Sequence, residues 1–250
     1  MKARCIVGAV VTVLVCIPVQ RSARAEDQAE KRARVQERMR CSMAAAEHWG
    51  LPRSVVLAVA EIEGGRPGQW VKNRNGTADV GPMQFNTRYL QQLTKAYGIT
   101  AAHVAVPGCY PYELAAWRLR RHLVQDAGDF WSRLSNYHSR TPALNDKYRR
   151  KLMRRAQHWA QWLVATHGQQ DVSLVEAALA LGTLRGAAVE LPPLPVGATG
   201  DQQAPQTPEK RRDRGKYSSA LSAVTAQIEA RERALRATLR AVWSEQAAGL

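Results

Sequence analysis

No CxxC pair, no HExxH stretch and no other close grouping of cysteine and histidine occurs in the 250 residues, and the six histidines are scattered. A zinc site therefore has no ligand set, and neither a metal nor another cofactor is expected. An uncharged apolar run of the roughly 20 residues that a bilayer-spanning helix needs is also missing. The run from Cys5 to Val19 stops at 15. No internal repeat is present. The 36 basic residues are spread through the chain without a nucleic-acid-reading motif, so no nucleic-acid partner is expected despite a net charge of +15.

The short apolar run has another meaning. Lys2 and Arg4 precede it, and Ala23-Arg24-Ala25 supplies small residues around a cleavage point, the layout of a secretory signal peptide over residues 1–25. Removal of this leader leaves 225 residues, enough for one domain and an appendage. It also leaves 32 basic against 21 acidic residues, a net +11 that favours polyanionic partners in general. Of the four cysteines only Cys41 and Cys109 remain. An exported pair is more often a disulfide than a catalytic or metal site, two buried thiols being the alternative.

The residues read as mainly α. Residues 26–40 are densely charged and predict a frayed helical lead-in, with the ordered part starting near Cys41. Cys41 to Trp49 forms a short helix ended by Gly50, and Pro52 opens a second that Gly64-Gly65 stops. Between them Val55 to Ile62 is apolar nearly all round except at Glu61, as in a helix buried in a core. Residues 71–85 lose helical character, and Asn75-Gly76 predicts a hairpin or extended loop. Helical spacing returns at Tyr112, Ala115, Ala116, Leu119 and Leu123, and again at Tyr148, Leu152, Ala156, Trp159 and Leu163. A short helix over 169–190 leads to a proline-rich, charged linker over 191–215. Leu221, Ile228, Leu235 and Val242 then repeat every seven residues in an amphipathic helix over 216–250, a docking element expected to be dispensable for catalysis.

Glu63 stands out because it ends an apolar helix just before two glycines that leave space beside its carboxylate. Burial disfavours the charged form, and a carboxyl that keeps its proton near neutral pH is what a general acid for glycosidic oxygen must be. A glutamate at a helix end is more often a surface residue, so this position alone decides little.

The wider pattern decides more. Leu57-Ala58-Val59-Ala60-Glu61-Ile62-Glu63-Gly64, followed by Asn75-Gly76-Thr77-Ala78-Asp79-Val80-Gly81-Pro82-Met83-Gln84-Phe85-Asn86, resembles the soluble lytic transglycosylase family, relatives of goose-type lysozyme. A third block, Leu134 to Ser139, stands where that family has Tyr-Asn-Ala-Gly, and Tyr148 where it has a later cleft tyrosine. The resemblance covers residues 41–168 and implies a lysozyme-like α-helical domain with a small hairpin beside the cleft. Glu63 takes the place of the catalytic acid, and Gly81, Met83, Gln84, Asn86, Tyr137 and Tyr148 those of substrate-binding residues. Gly64 departs from the usual Ser, and His138-Ser139 from Asn-Ala. Glu61, about 200° around the helix from Glu63, is the poorer candidate.

The similarity is strongest to small members that accompany conjugation and type IV secretion, which pair an early cysteine with one before a later helix, as Cys41 and Cys109 would. It implies a periplasmic enzyme that cuts peptidoglycan glycan strands for a trans-envelope apparatus, whose components the C-terminal segment would engage. Two alternatives stand beside it. One is a hydrolase in which Asp79 positions water, against a simpler role for Asp79 in fixing the hairpin. The other is a wall-binding assembly factor without catalysis.

Overall fold

The first helix of the computed structural model is longer than the sequence suggests. The structure describes residues 6–167, 174–180 and 204–208, with side chains over 25–166, 175–179 and 204–208. Helix α1 runs unbroken from Ile6 to His48, so the charged lead-in is continuous with the helix that carries Cys41. Residues 26–40 hold no glycine or proline and many strong helix formers, and Arg34 pairs with Glu30 one turn earlier. The lead-in also reaches the body. Glu37 accepts a hydrogen bond from the Gly108 amide at 3.2 Å, and Arg38 lies 3.5 Å from the Gly65 carbonyl.

Helix α2, Arg53–Glu63, forms the centre of the molecule, with Ser54 to Ala60 all buried. It packs on α1 and on the long α7, Pro142–His167. Each fully buried Val or Leu on such a helix is worth about 2 kcal/mol. Gly64, in the left-handed conformation at φ 60°, ends the helix and bonds back to Ala60, which is the ordinary use of glycine there. The expected hairpin follows as β1, Trp70–Lys72, and β2, Ala78–Val80, joined through Asn75-Gly76. A third strand not anticipated from the sequence, β3 at Phe85–Asn86, pairs antiparallel with β2. Two side-chain-capped or boxed helices come next, α3 at Thr87–Tyr97 and α4 at Ala101–Ala105.

Helix α5, Tyr110–Gln125, buries Trp117, Leu114 and Leu119, and α6, Phe130–Ser135, brings Phe130 and Trp131 into the same core. The protein is thus mainly helical with a small three-stranded antiparallel sheet. The Cys41–Cys109 disulfide ties α1 to the start of α5.

Helix α8, Leu174–Ala180, packs on α7 within the predicted 169–190 element, the rest of which lies outside the described residues. Its buried Glu176 accepts a hydrogen bond from the Ser54 amide at 2.8 Å. Part of the predicted linker also lies on the body, where Pro205 is buried and its carbonyl accepts a hydrogen bond from Tyr110 Oη at 3.2 Å. The heptad-spaced tail over 216–250 falls outside the described residues. Among those residues no helix is long and apolar enough to cross a membrane.

Candidate active site

Three parts of the chain meet at the end of α2: the turn between β2 and β3, the loop between α6 and α7, and the first turns of α7. Gly65 accepts the turn's close approach. Its amide donates to the Pro82 carbonyl at 3.2 Å, and a methyl group on Gly65 would collide with the Gly81 carbonyl and the Gln84 amide. Gly81, at φ 73°, lies against the Val104 carbonyl of α4, where a Cβ would also collide. The Gly81 and Val104 carbonyls are backbone atoms that cannot rotate away, whereas the Gln84 amide is a side-chain group. A Gly81→Ala substitution combines a steric clash with a strained φ, and the expected loss is about 3 kcal/mol, read as a lower urea midpoint. An unchanged midpoint would refute this packing.

The turn is braced from behind. Met83 is fully buried, its carbonyl accepts a hydrogen bond from Tyr137 Oη at 2.9 Å, and Tyr137 is itself 4% exposed. Gln84 adopts φ 48°, uncommon for a side-chain-bearing residue, and its Nε2 donates to the Gly81 carbonyl at 2.8 Å. Asn86 caps α3 by accepting from the Arg88 amide and donates to Asp79 Oδ1 at 2.8 Å. Of the six residues assigned to substrate by resemblance, Gly81, Met83 and Tyr137 therefore form the support of the turn. Gln84 and Asn86 lie partly open on it.

Tyr148, on α7, is the one that reaches Glu63. Its hydroxyl donates to Glu63 Oε1 at 2.7 Å, and its ring stacks parallel on His138, 4.9 Å between centroids. Burial raises the pKa of Glu63 to about 7, against the lowering effects of the Tyr148 hydrogen bond and the Arg118 charge, with Asp79 adding to the rise. Burial and the neighbouring Glu63 hold the Tyr148 hydroxyl well above its ordinary pKa, so it remains a donor. Since Tyr148 donates to Oε1, the proton of neutral Glu63 belongs on Oε2, which meets no described hydrogen-bonding group. A carboxylic acid half-retaining its proton at neutral pH can protonate a leaving oxygen and later take a proton back.

Glu61 is engaged elsewhere, accepting from Trp159 Nε1 at 2.8 Å and pairing with Arg155 at 3.3 Å farther along α7. The two acids do diverge. Asp79 has both carboxylate oxygens in hydrogen bonds, Oδ1 from Asn86 of β3 and Oδ2 from Asn73 at 3.0 Å, which ties β2 to β3 and to the turn that follows β1.

Two members of this neighbourhood carried no signal in the sequence. Arg118 of α5 lies over the rings of Tyr89 and Tyr137, at 4.0 and 4.6 Å. The loop bearing Tyr137 and His138 is held by Asn145, whose Nδ2 donates to Asn136 Oδ1 at 2.8 Å and to the Ser132 and Ser139 carbonyls. Asn136 in turn donates to Asp126, which pairs with Arg140 at 3.0 Å and contacts the buried His122 at 2.7 Å. Burial lowers the pKa of His122 to about 4, so it is neutral at ordinary pH. Neither a scan against protein-family models nor a search of curated proteins returns a match to this chain.

Proposed function

We propose that the protein is a peptidoglycan lytic transglycosylase acting through Glu63. The observation that carries the reading is a single carboxyl whose pKa burial raises to about 7, seated against Tyr148 at the junction of α2 and the Gly81 to Gln84 turn. The order of motifs along the chain, similar to that of soluble lytic transglycosylases, supplies the reaction. Glu63 Oε2 donates its proton to the oxygen between N-acetylmuramic acid and N-acetylglucosamine as the glycosidic bond breaks. The muramic acetamido group stabilises the cationic C1. Glu63, now a carboxylate, takes the proton of the muramic C6 hydroxyl as that oxygen bonds to C1, closing a 1,6-anhydro ring and regenerating the acid.

No water is consumed, and one carboxyl suffices, unlike the paired carboxylates of ordinary glycosidases. The engagement of Asp79 with two asparagine amides supports its role as a brace of the hairpin rather than as a water-positioning group. On this reading Gln84, partly open on the turn, meets sugar, Asn86 braces the hairpin through its bonds to Asp79 and Thr77, and Tyr148 orients the acid. The leader pattern supports export to the periplasm, and the similarity to small conjugation and secretion-associated members supports local opening of the wall for such an apparatus.

Purified residues 26–250 incubated with isolated sacculi are expected to release muropeptides ending in 1,6-anhydromuramic acid, as read by mass spectrometry. Products carrying one added water, with reducing muramic ends, would make the enzyme a hydrolase. Binding to sacculi without release of any product would leave the assembly-factor reading in its place.

A further inference from the structure

Arg118 is a cation with no ion-pair partner among the described residues. It is partly buried, and its Nε is buried with no hydrogen-bond partner. The other cations near Tyr89 are occupied differently, since Arg140 is paired with Asp126 and Arg121 bonds Gln125 and lies over Trp117. Stacking on Tyr89 and Tyr137 accounts for where the guanidinium sits. It does not account for the charge. A partly desolvated guanidinium is costly without an anion, and rings over its faces leave its in-plane N–H groups for a planar oxyanion.

The place of Arg118 gives that anion a source. Tyr137 holds the turn beneath Glu63, and the Arg118 charge is felt by Glu63, Tyr148 and His138 alike. We infer that Arg118 is the receptor for a carboxylate carried by the glycan on its 3-O-lactyl arm, and so selects acidic strands over neutral ones. This rests on the glycan-cleaving reading above. The carboxylate is either the free lactyl group of peptide-free strands or one on a stem peptide. Both present the same fork-shaped acceptor to a guanidinium.

Calorimetry on residues 26–250 carrying Glu63→Gln, which leaves the glycan uncut, separates the possibilities. The ligands are peptide-free N-acetylglucosamine–N-acetylmuramic acid oligomers, the same oligomers with the lactyl carboxyl amidated, stem-bearing oligomers, and chitooligosaccharides of equal length. Adding Arg118→Gln is expected to weaken acidic oligomers ten- to a hundredfold and to leave chitooligosaccharides unchanged, with Arg118→Lys recovering part of the loss. Dependence on Arg118 that vanishes on lactyl amidation identifies the lactyl group. Dependence found only with stem-bearing oligomers identifies the peptide. Equal weakening of acidic and neutral oligomers would reduce Arg118 to a ring-packing residue and overturn the inference, as would no change with any ligand. Failure of the Arg118-intact protein to bind any glycan would instead take down the reading on which it rests.

Discussion

Replacement of Glu63 by glutamine is expected to lower anhydromuropeptide release about a thousandfold while leaving the protein folded. Glutamine is isosteric and still accepts the Tyr148 hydrogen bond, but has no proton to give, and general acid–base steps contribute on the order of 10²–10⁴ in rate. The wild type should also lose activity above about pH 7, where Glu63 ionises. Stability supplies an internal control. The folded-state pKa of Glu63 is raised, so the protonated form favours the fold, and that contribution is complete below the ordinary carboxylate range and gone once pH has risen through about 7. Glu63→Gln and wild type should therefore melt alike near pH 4, with the variant melting higher at pH 8. An inactive variant that melts lower at every pH would point to misfolding, and an active one would remove Glu63 from the mechanism.

The second large effect is on stability. Cys41 and Cys109 are 68 residues apart, and closing a loop of that size restricts the unfolded chain by about 4 kcal/mol in the chain-entropy model. Replacing both with alanine is expected to lower the melting temperature by roughly 10 °C at this chain length. The loss should match that produced by reductant on the wild type, and reductant should then do nothing further to the double variant. Recovery of both cysteines as free thiols from unreduced exported protein would contradict the bond.

The parts legible in the sequence were those written in local pattern. Val55 to Ile62 announces a buried helix because valine, leucine and alanine cover nearly every side of it, and Asn75-Gly76 announces a hairpin because the dipeptide suits its turn. The Tyr148 to Leu163 stripe likewise places α7. What was not legible depends on partners remote in the chain. Nothing around Tyr137 says that its hydroxyl is spent on the Met83 carbonyl, 54 residues earlier, rather than on a ligand. Arg118 looks like one more base in Trp117-Arg118-Leu119-Arg120-Arg121 until Tyr89 and Tyr137 arrive from other elements. β3 is only two residues long, too short for alternation to register. The charged lead-in was underestimated because its composition suggests solvent, whereas Glu37 finds the Gly108 amide across the fold.

The Glu176 to Ser54 hydrogen bond bears on where the self-sufficient unit ends. Pro52 provides no side-chain cap for α2, and the amide of Ser54 is answered by a carboxylate from α8, beyond the boundary at 168 that the motifs suggest. The first turn of the helix whose last residue is Glu63 is thus closed by a residue 122 positions downstream. A chain stopped at 168 would keep every motif yet leave that turn to fray, whereas one that retains α8 would keep both ends of α2 fixed.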